Sequence, residues 1–250
     1  MAWTRRYDEA EPQRVNKWLG QSGVCSRREA EALIGKGLVS IDGEIVTDTG
    51  RKILPGQTLV LADGEGLAPL SVVLHKPMGV VSAQPEPGQT PAVRLLTRAA
   101  LVGDSPQIPD RDTRLAPLGR LDMDSRGLLL LSEDGVLAKA IIGPESDLEK
   151  EYLVRVTGKI TAEKIARLCH GLTMDGRQLK PARVSLVEGQ QLRFILKEGR
   201  NRQIRRMCEL VGLHVMDLVR IRIGSLELGD LDEGKWRVLS EAERIALTAR

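Results

Sequence analysis

The chain has 250 residues, is 42% hydrophobic and carries a formal net charge of +3. That apolar content suits an ordinary packed core, whereas the charge is too small to argue nucleic-acid binding from the total, so any such role depends on where the cations cluster. An aromatic share of 2% excludes a base-stacking platform of several Phe or Tyr residues, and the scattered Cys25, Cys169 and Cys208 exclude a disulfide framework or a CxxC zinc site. The N-terminus is charged and lacks an apolar export core, and no stretch approaches the ~20 apolar residues of a membrane span, so an unexported cytoplasmic protein is expected.

Residues 1–13 are polar and charged without periodicity and are predicted to be a mobile tail. From Arg14 the pattern changes. Val15, Trp18 and Leu19 recur at helical spacing, residues 20–25 read as a turn, and Ser26-Arg27-Arg28-Glu29 is a capping box opening a second helix with Ala30, Leu33 and Ile34 inward. Segments 39–41 and 44–46 flank Asp42-Gly43, a two-residue hairpin signal, and 58–61 supplies a further strand. Residues 14–62 thus form a small module, and the Gly- and Pro-containing stretch 63–70 reads as a linker to a larger domain, 71–250. In that domain strands are predicted at 72–75, 128–131, 152–156, 183–187, 192–196 and 214–219, and helices at 161–169, 203–211 and 240–247. Their irregular alternation predicts an α+β fold with a mixed, mostly antiparallel sheet. The Pro- and Asp-rich stretch 103–117 is a long loop of the kind that rims an active site.

That loop leads into Gly119-Arg120-Leu121-Asp122-Met123-Asp124-Ser125, then Arg126-Gly127 and the run Leu128 to Leu131. Pro117 and the glycines disfavour helix, and four leucines suit a strand packed on both faces, so Asp122 belongs to a loop anchored by the core. Such a loop can carry a nucleophile; it can equally be a turn whose aspartates bond their own backbone, and both readings stay open at this point. The spacing nearly matches a calcium loop, but Arg126 stands where an oxygen ligand belongs. His75, His170 and His214 belong to no ligand cluster, and the sequence lacks GxSxG, Walker A and strand-associated GxGxxG motifs. Serine hydrolases, P-loop NTPases and dinucleotide enzymes are therefore set aside, and the expected chemistry needs no cofactor and no metal.

A helix N-terminus carries partial positive charge, so acidic residues normally occupy it. This chain does the reverse twice: Arg27 and Arg28 follow Ser26, and Arg200, Arg202, Arg205 and Arg206 crowd the start of the helix whose apolar stripe is Ile204, Met207, Leu210 and Val211. Phosphate would relieve both arrangements, and a helix dipole, free backbone donors and guanidinium forks together favour a polyanion. The alternative is a solvated basic face paired with Glu29, Glu31 or Glu198.

With these residues in view the chain resembles the ribosomal RNA pseudouridine synthases, in the branch that contains the small-subunit enzyme and large-subunit enzymes B, E and F. Residues 14–19, Ser26-Arg27-Arg28-Glu29-Ala30 and the Asp42-Gly43 hairpin resemble an S4 RNA-binding domain. The catalytic part matches in order: Leu74-His75-Lys76-Pro77-Met78-Gly79, Gly119-Arg120-Leu121-Asp122, Glu149-Lys150-Glu151-Tyr152-Leu153-Val154, and Gly199-Arg200-Asn201-Arg202-Gln203-Ile204-Arg205-Arg206-Met207. The last of these looks closest to large-subunit enzyme F. The resemblance implies an S4-type module followed by a synthase domain that isomerises a uridine of ribosomal RNA, in 23S rRNA, with Asp122 as the catalytic aspartate. It implies Arg205 paired with Asp122 and holding it ionised, and Tyr152 against the uracil. Arg14, Lys17, Ser26, Arg27, Arg28, Arg120, Arg200, Arg202 and Arg206 would contact RNA, Arg120 filling the gap left by a flipped base. Lys76 is either an RNA contact or a structural lysine, and Asp124 bonds the loop. Transfer RNA as a second substrate, a pre-ribosomal particle as partner and a monomeric state complete the expectations. The competing reading is a non-catalytic RNA-binding assembly factor with a degenerate synthase domain.

Overall fold

The structure is a computed structural model that describes residues 3–22, 24–25, 27–62, 69–105, 107–110, 113, 115–170 and 172–249. It divides into two compact units, residues 1–70 with 133–139, and residues 71–132 with 140–250. The sequence pattern put 133–139 in the second domain; in space they cluster with the first.

In the first unit β1 (Trp3–Arg6), β2 (Gln13–Arg14), α1 (Val15–Gln21), α2 (Arg27–Gly35), β3 (Val39–Ile41), β4 (Glu44–Ile45), β5 (Lys52–Ile53) and β6 (Thr58–Leu61) follow one another. β1, β6, β3 and β4 form an antiparallel sheet in that order, and β2 pairs with β5. Asp42 and Gly43 both have positive φ, the conformation a two-residue hairpin needs. Val15, Trp18, Leu19, Ala30, Leu33 and Ile34 are all buried in one cluster, as their spacing predicts. The predicted cap Ser26 and linker residues 63–68 lie outside the described residues.

The tail prediction is corrected. Trp3–Arg6 pairs with β6 from Trp3↔Leu61 to Arg6↔Thr58, and Tyr7 is 1% exposed, edge-on to Trp18 with ring centroids 5.3 Å apart. Tyr7 also exchanges backbone hydrogen bonds with Gly56 and Gln57. A strand with an exposed outer face has no hydrophobic run to betray it; two aromatics spaced along a polar segment were the available signal.

The second unit contains β7 (Ser71–Lys76), β8 (Val80–Val81), β9 (Thr90–Pro91), β10 (Ala116–Pro117), β11 (Arg126–Ser132), α3 (Gly135–Ile142), β12 (Lys150–Thr157), α4 (Ala162–Cys169), β13 (Thr173–Met174), β14 (Arg177–Gln178), β15 (Arg183–Glu188), β16 (Gln191–Leu196), α5 (Gln203–Leu210), β17 (His214–Ile223), β18 (Leu226–Glu227), β19 (Trp236–Val238) and α6 (Glu241–Thr248). The N-terminal part of α3 falls in the 133–139 segment. Among the described residues the main sheet runs β15-β16-β12-β17-β11-β7-β19, with β10 and β18 added at β11 and β17. Its pairings are antiparallel except β11 with β17, so the sheet is mixed and mostly antiparallel and the fold is α+β. Leu128, Leu129, Leu130 and Leu131 are buried, as a strand covered on both faces requires. α3 and β19 went unpredicted: α3 starts on the side chain of Asp134, which accepts from Val136 and Leu137, and three-residue β19 is held by Trp236, whose indole donates to Thr97 O at 2.7 Å.

One close approach governs the centre of the sheet. Gly127 on β11 lies opposite Arg220 on β17 with φ +109°, and a Cβ there would sit 2.3 Å from the Arg220 carbonyl oxygen. Only glycine fits.

Candidate active site

Asp122 opens a tight turn before β11, closed by Ser125 N–H donating to Asp122 O at 3.1 Å. The turn is tied from several sides. Ser82 Oγ donates to Leu121 O at 2.6 Å and accepts from Leu121 N–H at 2.9 Å, and Gly79 N–H donates to Met123 O at 2.8 Å. Leu121 and Ser125 are buried while the Asp122 side chain keeps 34% of its surface, so the carboxylate stands open at the end of an anchored loop. It lines a cleft of about 470 Å³ with Tyr152, Lys150, Arg205 and Arg220.

Arg202, just before α5, adopts the left-handed conformation (φ 49°, ψ 32°), a strain of ~1 kcal/mol or more for a non-glycine residue. From there its guanidinium forks onto Asp124 at 2.8 and 3.0 Å and reaches Asp122 at 3.7 Å. Arg205 also turns to Asp124: Nε lies 3.3 Å from its carboxylate, and Nη2 donates to its carbonyl at 2.6 Å and to Ser125 Oγ at 3.3 Å. The expected Arg205–Asp122 pair is therefore corrected to Arg205–Asp124, and the partner of Asp122 is Arg202. Asp124 does more than bond its own loop. The Arg202 fork holds it below the usual carboxylate range, against burial and with help from Arg205. Adjacent turn residues alternate in direction, so spacing could not tell which aspartate meets which arginine.

The other helix-start arginines also have protein partners. Arg206 forks onto Asp175 at 2.6 and 2.9 Å, and Arg200 lies 3.5 Å from Glu198 and donates to Met174 and Gln178 carbonyls. Carboxylates thus take part of the compensation that was assigned to phosphate. In the first unit Arg14, Lys17, Arg27 and Arg28 are exposed, and Glu29 supplies an acid in the first turn of α2. Arg120 is exposed beside the cleft. Lys76 is 0% exposed and donates to the Pro77 and Val80 carbonyls at 2.8 Å, which makes it a structural lysine; burial pushes it down to about 8, with Asp122 and Asp124 pulling the other way. Arg126 forks onto Asp217 at 2.8 and 3.1 Å, joining β11 to β17.

Two cleft residues escaped the sequence reading. Arg220 is 1% exposed, pairs in register with Tyr152, and donates to Leu128 O and Gly119 O, each at 2.8 Å. Lys150 sits two residues before Tyr152 on β12, hence on the same face. A bulge in β17 at Glu151/Tyr152 changes the facing of its arginines, so Arg220 lies opposite Tyr152 while Arg222 lies opposite Glu151 and bonds it at 2.7 Å. Without the bulge both arginines would share a face. A cation flanked by Val219 and Ile221 on a strand was the signal for Arg220.

Comparison with known proteins agrees with this architecture. The family model described as RNA pseudouridylate synthase matches residues 71–210, and the S4 domain model matches 13–59. The dual-specificity RNA pseudouridine synthase RluF of Escherichia coli K12 is 36% identical over 243 residues, covering 94% of this chain and 78% of that protein. The ribosomal large subunit pseudouridine synthase B of Bacillus subtilis is 34% identical, covering 92% of this chain and 93% of that protein. A crystal structure of a pseudouridylate synthase superposes with a TM-score of 0.65 at 27% identity, covering 94% and 99% of the two chains. An anchored aspartate turn facing a tyrosine strand and an arginine helix, carried by a chain with an S4 domain before it, places this protein in the RNA pseudouridine synthase family, in the branch of RluF and the large-subunit enzyme B.

Proposed function

We propose that the protein isomerises a specific uridine of large-subunit 23S ribosomal RNA to pseudouridine, with Asp122 as the catalytic carboxylate. The observation that carries this is the meeting of Asp122, Tyr152 and Arg205 in one cleft. A degenerate domain retained for binding alone would have no need of that set. The C1′–N1 bond of the uridine breaks, the uracil turns and rejoins through C5, and the carboxylate on its tied turn reaches the ribose or the ring. Tyr152, buried against β16 and β17, offers its ring to the uracil and its hydroxyl for the loss of the C5 proton. Arg205 acts through Asp124 and Ser125, fixing the turn that presents Asp122. Arg120 fills the gap left by the flipped base, and Arg200, Arg202 and Arg206 exchange carboxylate partners for phosphates as RNA arrives. Arg14, Lys17, Arg27 and Arg28, with Ser26, form the S4 contact. The protein works as a cytoplasmic monomer on rRNA or a pre-ribosomal particle; the dual-specificity name of the RluF relative supports a second RNA substrate, for which transfer RNA is the candidate.

Mapping pseudouridines across ribosomal and transfer RNAs with the gene deleted and then restored tests the assignment. Loss and return of one rRNA site is the expected result, and an unchanged map overturns it. For the S4 contact, Arg27→Ala combined with Arg28→Ala is expected to weaken RNA binding and to lower the slope of log K against log salt by about 1.4 to 1.8, the release of two counterions. Binding titrations between low and moderate salt read this directly. An unchanged slope returns both arginines to a solvated face.

A further inference from the structure

Lys150 is a buried cation without a counter-ion. It is 9% exposed, its amine has one acceptor, Leu148 O at 3.4 Å, and no carboxylate pairs with it among the described residues. Its charged neighbour is another cation, Arg220; burial first, and then Arg220, push the amine down to about 8. Several nearby arginines have an anion: Arg202 and Arg205 hold Asp124, Arg222 holds Glu151, and Arg183 holds Glu149, while Arg220 bonds backbone carbonyls. The acidic residues flanking Lys150, Glu149 and Glu151, are drawn to Arg183, Arg193 and Arg222. An unpaired buried charge is costly, and a free donor opening into a cleft is unsatisfied until something accepts from it.

We propose that Lys150 is a catalytic residue of the isomerisation, donating to a carbonyl oxygen of the uracil and balancing the negative charge that develops there. This rests on the reading of the cleft as a uridine site. When C1′–N1 breaks, its electron pair stays with the ring and spreads over N1 and the two carbonyl oxygens; if the carboxylate first adds at C6, the charge falls on O4 instead. Either route places an anion on the uracil. C1′–C5 then forms, the carboxylate being displaced from C1′ or, had it added to the ring, eliminated from C6; the C5 proton leaves and N1 gains one, so the atoms balance without another reactant. Lys150 lies on the face of β12 that carries Tyr152, and Arg220 lies across from Tyr152, so a ring held against the tyrosine has two cations at its edge. Arg220 spends its donors on Leu128 and Gly119 carbonyls and supplies field; Lys150 has donors free to bond. A fixed donor aimed at developing charge is the arrangement of an oxyanion hole.

The test replaces the amine by an isosteric apolar chain, Lys150→Met, and follows three quantities: single-turnover pseudouridine formation, RNA affinity and melting temperature. The expected rate falls about 100-fold, the typical loss on removing one oxyanion donor, with affinity unchanged. The melting temperature stays level or rises, because the variant no longer buries an uncompensated charge. A rate within about threefold of wild type, or a loss accompanied by an equal loss of affinity or a lower melting temperature, overturns the proposal, since an oxyanion donor is worth more than that and its removal leaves the fold intact. If the wild-type protein makes no pseudouridine at all, the uridine-site reading fails and takes this inference with it. Wild-type turnover with an unaffected variant removes the role of Lys150 alone.

Discussion

Asp122→Asn is expected to stop pseudouridine formation, with a loss of roughly 10⁴-fold or more, as for removal of a nucleophile from a preorganised site. RNA affinity stays near that of wild type. The asparagine keeps the shape of the side chain, and the turn around it depends on other groups: Ser82 and Gly79 bond the backbone of Leu121 and Met123, and Arg205 holds the carbonyl of Asp124. Among the described residues the Asp122 carboxylate has one ion pair, the 3.7 Å contact to Arg202, which already forks onto Asp124, so its loss costs the fold little. Phosphate contacts are untouched, and one negative charge fewer in a cleft lined by arginines does not repel RNA. Pseudouridine content after digestion to nucleosides, measured beside a binding titration, separates the two quantities. Retained turnover would remove the aspartate from the chemistry.

Gly127→Ala is the substitution with the largest expected effect on stability, about 4 kcal/mol or more, because an added Cβ would overlap backbone that has nowhere to move. The new atom would lie 2.3 Å from Arg220 O and 2.6 Å from Arg220 N, at a residue whose φ of +109° already disfavours any side chain. Relief would require β11 and β17 to part at their parallel pairing, Arg126↔Val219 and Gly127↔Arg220. For a unit of this size that corresponds to a fall in melting temperature of roughly 10 °C. The damage extends to function, since the same shift moves Arg220 and with it the cation field at the cleft. Thermal denaturation of the variant checks the first effect; a melting temperature within a degree or two of wild type would show that the strands accommodate the methyl group.

Much of this was legible before any coordinates. Helical apolar spacing located α4 and α6; that Thr161 and Ser240 cap them is what the structure adds. Alternation or an unbroken apolar run located most of the long strands, because each has at least one buried face whose composition must show. The elements that escaped lacked that signature. β1 is short, charged and mostly exposed; β19 has three residues; α3 follows directly on a strand, so its apolar residues read as a continuation.

The site divides along the same line. Sequence alone determined the chemical inventory, because residue types and motif order are linear information: a carboxylate after glycine and arginine, a tyrosine on a strand, a cluster of guanidiniums at a helix start. It also determined the α+β class and the two-part organisation of the chain. Tertiary structure decided the pairing. That Arg202 and Arg205 meet Asp124 and leave Asp122 open depends on a left-handed backbone at Arg202 and on a turn tied by Ser82 from 39 residues away in the chain. That Lys150 and Arg220 face one cleft while Glu149, Glu151 and Arg222 pair with each other elsewhere depends on a bulge in β17 and on a glycine that lets β11 come close. Which charges neutralise one another is set by distance and facing in three dimensions, and these follow from backbone parity and close packing that no spacing along the chain encodes.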